Sequence, residues 1–270
     1  MYKFSKGNLC IVYLLFYIIT TMTNNMIQGE ILEVIHWTDK LYSLKINAPG
    51  VDFTPGQFAK LGMMIDDEFI SRPYSFVNSP DENILEFYSI HVPDGPLSTK
   101  MKDLKKGEEI HISRQGSGFL VMNEMPKDIK TLWMLSTGTA IGPFLSILKT
   151  KSSWDQFHKA VLVHSVRYAN ELTYKDTIDK IKVEKKDRFH YVPCVSRESN
   201  DFSINHRITD AIEENLFKKK FNLDILEPNS HFMLCGNPDM VTDVTDLLKK
   251  LGYIKHRRRT PGQISTENYW

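Results

Sequence analysis

Apolar and polar positions alternate with a short period in the first half of the chain and lose that alternation in the second. Ile27 to Val34 and Leu41 to Ile46 are short apolar-rich runs with partial period-2 alternation, separated by the polar HWTDK. This is the pattern of antiparallel strands that turn one face to a core. Gln57 to Met64, Phe69 to Phe76, Ile84 to Ile90 and Glu109 to Ser113 read the same way. Turn chemistry punctuates them at Pro49-Gly50, Pro55-Gly56, Pro80-Asp81, Asp94-Gly95 and Lys106-Gly107, where Pro presets φ and Gly accepts a positive one. Many short strands with regular turns predict a small barrel, with one helix, Leu97 to Leu104, before the last strand.

After about Phe119 the character changes. Leu132 to Leu135, Ala160 to His164, Tyr191 to Val195 and His231 to Leu234 are apolar without clean alternation, as expected of strands buried on both faces. Helical patterns lie between and after them: Pro143 to Leu148, Tyr174 to Val183, Ile208 to Phe217 and Met240 to Leu251. Strand and helix in turn imply a parallel sheet wrapped by crossovers. The expectation is a two-domain β + α/β chain, an antiparallel β-barrel followed by a doubly wound parallel sheet. The boundary falls near Asn123 to Lys130, which assigns residues 26–123 and 124–270 to the two domains and 1–25 to an extension.

Composition narrows the function classes. At 270 residues, with 41% hydrophobic and 25% charged, the chain is globular rather than disordered or fibrous. Lys+Arg 34 against Asp+Glu 33 gives a net charge of +1, so no global basic field argues for nucleic acid. The three cysteines, Cys10, Cys194 and Cys235, show no CxxC spacing, so neither a disulfide framework nor a zinc ribbon is expected and no metal is assigned. A reducing, cytoplasmic setting is the simplest expectation. The uncharged stretch from Leu9 to Thr20 follows Lys3 and Lys6. It is shorter than the roughly 20 residues a membrane span needs and lacks a small-residue cleavage site. Three readings stay open: a start at Met22 or Met26, a membrane anchor through residues 9–20, or a cleaved leader.

In a doubly wound sheet, ligands sit beyond the carboxyl ends of the strands. After the first parallel strand comes STGTAIGP, Ser136 to Pro143, where Gly138 and Gly142 allow a tight turn and Thr139 supplies a hydroxyl. It is neither GxGxxG nor a Walker motif, and a plain strand-to-helix turn accounts for it equally well. The second strand ends in HSVR, which carries Val166 and Arg167, and the third in SRE, which carries Ser196 and Arg197, with Arg207 beyond. No carboxylate stands between His164 and Arg167 to hold a ribose hydroxyl. Cations there fit a ligand with an extra phosphate, whose oxygens match the guanidinium fork; solvated surface arginines are the alternative. The fourth strand ends in LCGNPDM, Leu234 to Met240. There Cys235 is expected to face the cleft, Gly236 to admit a planar ring, and Pro238 to sit in a first helical turn. A buried structural cysteine is the competing reading. In the β half, RPYS places Arg72 and Tyr74 on one strand face and Pro73 and Ser75 on the other, and the interior Pro73 argues for an edge or a bulge.

RPYS with VNSP, LEFY with VPDGPLS, then TGTAIGP, HSVRY, SRE, CGNPDM and the terminal Tyr269-Trp270 run in order from about Met26 to Trp270. Together they resemble the bacterial ferredoxin (flavodoxin)–NADP+ reductases. The resemblance implies FAD on the barrel, with Arg72 at the pyrophosphate and Tyr74 and Ser75 at the ribityl chain and ring. Ser75 would stand near N5, while Tyr88, Ser89, Ile90, Leu97, Ser98 and Thr139 line the rest. It implies NADP(H) across the strand ends, with Val166 and Arg167 toward the pyrophosphate and Ser196, Arg197 and Arg207 at the 2′-phosphate. Gly236 and Asn237 would lie beside Cys235 at the nicotinamide, and Tyr269 and Trp270 resemble the aromatic end that stacks on FAD. Ser75 and Cys235 are then the catalytic pair, as positioning groups. Pro73 stands where the family often has Ala.

The implied activity is FAD-dependent transfer between NADPH and a one-electron carrier, ferredoxin or flavodoxin. Lys255, Arg257, Arg258 and Arg259, with His256 among them, form a candidate docking patch for such an acidic carrier. Two alternatives share parts of this pattern: a related flavin or oxygenase reductase, and a non-enzymatic nucleotide-binding relay subunit tethered through the extension.

Overall fold

The computed structural model describes residues 25–127 and 129–268; the stretch from Leu9 to Thr20 and the terminal Tyr269 and Trp270 lie outside them. The strands of the first half are β1 (Met26–His36), β2 (Leu41–Asn47), β3 (Phe58–Ile65), β4 (Glu68–Ser75), β5 (Leu85–Ile90) and β6 (Glu109–Ser113), with helix α1 (Pro96–Lys102) before β6. They form one antiparallel sheet in the order β4-β3-β6-β1-β2-β5. A bulge between Ile31 and Glu33 bends β1, and the two edges of the sheet curl toward each other. Phe76, just past β4, bridges Phe87 of β5, and the Val77 amide donates to the Glu86 carbonyl at 2.8 Å. The inward residues Ile31, Tyr42, Leu44, Leu61, Phe76 and Ile112 fill the curl. Pro73 falls on β4, an edge strand, where a missing ladder donor costs least.

The second half supplies β7 (Ile129–Thr137), β8 (Phe157–Val166), β9 (Phe189–Val195), β10 (Ser230–Gly236) and β11 (Ile264–Asn268). The sheet is parallel throughout, in the order β11-β10-β7-β8-β9. Both faces are buried, which is why alternation disappears. Leu132 and Met134 belong to one core, Trp133 and Leu135 to the other, and Ala160 and Val161 divide in the same way. Helices α2 (Gly142–Lys149), α3 (Lys175–Lys185), α4 (Ile208–Glu213), α5 (Leu216–Phe221) and α6 (Pro238–Lys250) connect and cover the strands. Among the described residues, no helix is long and apolar enough to cross a membrane.

Two elements differ from the sequence expectation. Ile208 to Phe217 is not one helix: Asn215 takes φ +56°, a left-handed conformation that Asn tolerates, and the chain restarts as α5. Strand β11 was not anticipated, because ISTEN is polar and, among the strands, pairs only with β10.

The two sheets share a seam. Leu41, Val77 and Tyr88 from the barrel pack in the same core as Ala140, Phe144 and Cys235. The start of α2 approaches the barrel closely, so that a Cβ on Gly142 would come within 3.3 Å of Val77. Ser146 donates to the Asn78 carbonyl at 2.7 Å, Thr150 to Ser79 at 3.0 Å, and Lys149 pairs with Glu82 at 2.8 Å. Gly142 therefore lies where the two halves approach each other.

Candidate functional site

Strands β4 and β5 and the start of α1 enclose a first cavity of about 330 Å³. Arg72 and Tyr74 project into it from β4, Tyr88, Ser89 and Ile90 from β5, and Leu97, Ser98 and Thr139 complete the wall. The period-2 geometry of β4 separates the RPYS motif. Arg72 and Tyr74 face this cavity, Ser75 faces another, and Pro73 borders both. Burial pushes the Tyr74 phenol up to about 12, against the pull of Arg72, so it stays neutral and presents an apolar ring. Ser98 is largely committed to the turn before α1: its hydroxyl accepts from the Val92 amide at 3.1 Å, and its carbonyl accepts from Tyr42 at 3.0 Å.

Ser89 is different. Its hydroxyl is buried without a well-formed hydrogen bond, and its one weak partner is the Tyr42 phenol. A buried hydroxyl left without a good partner costs up to roughly 1–3 kcal/mol, so a wall that keeps one is suited to a ligand with polar edges. Aromatic rings, an outer guanidinium and this weakly bonded hydroxyl fit a planar heteroaromatic group carrying a phosphate.

The second cavity, about 640 Å³, lies across the seam and is lined by Gln57, Phe58, Ser75, Gly118, Phe119 and Glu267, among others. Ser75 is 4% exposed. Burial pushes the Glu267 carboxyl up to about 7, while the Leu120 and Phe119 amides pull it down. Gly118, at φ +107°, lets the chain cross this carboxylate, since a Cβ there would meet both oxygens at 3.2 Å. Glu267 was missed from the sequence because the strand that carries it was missed.

The third cavity, about 370 Å³, lies at the carboxyl ends of the parallel strands, beside the switch point between β7 and β10. It gathers Val166, Arg167, Ser196, Arg197, Arg207 and Asn237, and reaches the barrel at Leu41 and Ile90. Asn237 caps α6, accepting from the amides of Asp239 at 2.8 Å and Met240 at 3.3 Å, and its own amide donates to Thr137 at 2.9 Å. Gly236 holds φ +138° against Thr137, where a Cβ would collide. A carboxylate does line this cavity, Glu171, but it is occupied in accepting the Arg167 amide at 2.8 Å and the Tyr168 amide at 3.2 Å. Asp239 and Asp243 also line it, from α6, and were not read from the sequence.

Two predicted placements change. Cys235 does not face the cleft: it is 1% exposed, paired in register with Ser136 and Glu267, and absent from the walls of these three cavities. Burial drives its thiol well above the usual range, so it packs as a small neutral group. The four cations of the basic run are not equivalent either. Arg258, exposed like Lys255, Arg257 and Arg259, differs in pairing with Glu124 at 3.0 Å and stacking over Phe119 at 4.4 Å.

The first cavity shares wall residues with each of the other two. The first and second share Pro73, and the first and third share Ile90 and Thr139. A ligand held on the barrel and one held on the parallel sheet would therefore meet at the seam.

Residues 134–246 match the family model described as oxidoreductase NAD-binding domain. The chain is 44% identical over 245 residues to the flavodoxin/ferredoxin–NADP reductase of Escherichia coli (strain K12), covering 90% of this chain and 98% of that protein. It is 42% identical over 249 residues to the protein of that name from Buchnera aphidicola subsp. Baizongia pistaciae, covering 92% and 100%. Among solved structures, a ferredoxin NADP+ reductase from Neisseria gonorrhoeae with bound FAD and NADP superposes with a TM-score of 0.85 at 33% identity, covering 91% of this chain and 99% of that one.

Proposed function

The chain belongs to the flavodoxin/ferredoxin–NADP reductase family, and from that premise we propose that it is an FAD-dependent oxidoreductase moving electrons between NADPH and a one-electron carrier. The observation that carries this reading is that the barrel cavity and the cavity at the parallel-strand ends share the wall residues Ile90 and Thr139. FAD, when bound, supplies the link between a two-electron donor and a one-electron acceptor. The protein's part is to bind and to position.

Arg72 offers its guanidinium to the pyrophosphate, Tyr74 presents a neutral ring face to the flavin, and Ser89 gains a better partner than Tyr42. Leu97, Ser98 and Thr139 bound the same group. On the other side, Arg167 faces the pyrophosphate of NADP(H), while Ser196, Arg197 and Arg207 hold the 2′-phosphate through charge-assisted hydrogen bonds. Gly236 and Asn237 leave room for the nicotinamide, with Cys235 as packing behind them. Ser75 serves as a positioning hydroxyl at the junction, and no strong acid or base is needed for the transfer. The carrier is a ferredoxin or a flavodoxin, and Lys255, Arg257 and Arg259 are the cations left to meet its acidic surface.

Purified protein should be yellow and should be bleached by NADPH much faster than by NADH. A colourless protein that takes up no flavin would sink the reading, whereas a preference for NADH would sink only the role given to the arginines.

A further inference from the structure

Tyr174 lies immediately before α3, at φ +59°. That left-handed conformation is an outlier for a bulky side chain, and such outliers persist where the surroundings over-determine them. The side chain leaves its own domain and enters a socket in the barrel. Its ring lies 4.9 Å from Trp37 and meets Tyr88 edge-on at 5.2 Å. Its hydroxyl sits 2.6 Å from Ser43 Oγ and donates to Glu86 Oε1 at 2.8 Å. Trp37 Nε1 donates to Ser43 Oγ at 2.8 Å.

The direction of these bonds follows from proton counting. With Glu86 ionised, the single Tyr174 proton goes to the carboxylate, so Ser43 donates to Tyr174 and accepts from Trp37. Every group in the chain is satisfied and no alternative orientation satisfies them all. Tyr174 is 4% exposed and Ser43 fully buried. The socket borders both ligand walls. Tyr88 precedes Ser89 and Ile90 on β5, and Tyr174 follows Glu171, whose carboxylate fixes the Arg167 amide.

We propose that Tyr174 is a positioning residue for electron transfer: plugged into the Trp37, Ser43, Glu86 and Tyr88 socket, it sets the register of the nucleotide cavity against the barrel cavity. The inference rests on the two-cofactor reading above. It contributes no contact to either ligand and acts by holding two rigid bodies in one arrangement, where displacements of about 1 Å carry large rate penalties.

The test compares wild type with Tyr174→Phe and, from the barrel side, Glu86→Leu and Glu86→Gln, all as holoprotein. Tyr174→Phe is expected to slow flavin reduction by NADPH about tenfold, with flavin content, NADP+ affinity and reduction by dithionite unchanged. Glu86→Leu should copy it, and Glu86→Gln, which keeps an acceptor, should restore the rate. Amide hydrogen exchange of the oxidised protein without nucleotide should rise at residues 41–44, 85–88 and 173–178 in the first two variants only. A role in stability alone would lower Tm and leave the reduction rate at 25 °C untouched. That result, or unchanged exchange in Tyr174→Phe and Glu86→Leu, would overturn the proposal. Should wild type itself fail to hold flavin or accept electrons from NADPH, the functional reading fails instead, and the exchange comparison still decides whether the socket couples the domains.

Discussion

The first cavity is walled mainly by strands β4 and β5, whereas the third is assembled from the segments that follow β7, β8, β9 and β10. In the first, two tyrosine rings stand among aliphatic side chains and Ser89 has only a weak partner in Tyr42. Around the third, backbone amides of the loops are already capped by side chains. Glu171 takes the Arg167 and Tyr168 amides, Glu198 takes the Ala169 amide at 2.7 Å, and Asn237 closes α6. Side chains on paired strands have little freedom and suit a group that stays bound, while loops satisfied in themselves suit a ligand that comes and goes. The contrast assigns the resident cofactor to the barrel and the exchanged nucleotide to the parallel sheet.

The largest test of that contrast is Tyr74→Ala. Removing the ring should weaken flavin binding on the order of 100-fold, read as flavin absorbance per protein after purification, with NADP+ affinity little changed. Next, Arg197→Ala and Arg207→Ala should each raise KM for NADPH roughly 10- to 100-fold, since a charge-assisted hydrogen bond is worth about 1.5–3 kcal/mol. KM for NADH should hardly move; parallel losses with both nucleotides would place these arginines outside the phosphate site. Ser75→Ala sits between the regions and is expected to slow reduction by NADPH about tenfold while keeping FAD. Loss of flavin in that variant would move Ser75 from positioning to binding.

A smaller effect concerns pH. Burial holds the Glu267 carboxyl at about 7 against an ordinary 4.5, so the unfolded chain releases that proton before the folded one. The stability contributed is complete below about pH 4.5 and is lost as pH rises through 7. Tm of wild type relative to Glu267→Gln should therefore fall across that window, by the equivalent of about 3 kcal/mol. A flat difference would mean the carboxylate is solvated. The smallest effect is at the basic run, where added salt should raise KM for an acidic carrier protein and leave turnover of a small neutral dye unchanged. Charge reversal at Arg257 or Arg259 should mimic salt, and Arg258→Ala should lower Tm more than it alters carrier KM.

Much of the architecture was legible in the amino-acid order. Alternation in the first half and its absence in the second follow from one-sided and two-sided burial, so the barrel and the parallel sheet could be read locally. The RPYS split is a consequence of strand period alone. Other features were decided only when the two halves met. Glycine at 142 was legible as a tight turn, but its close approach to Val77 was not. Cys235 looked like a cleft residue and is sealed in the shared core. Arg258 looked like its neighbours until Glu124 and Phe119 claimed it. Tyr174 carried no local signal at all, because its hydrogen-bond partners are 88 and 131 residues away in the chain. Periodicity reports what each segment must bury; it is silent on which distant segment does the burying, and the chemistry of the seam depends on that choice.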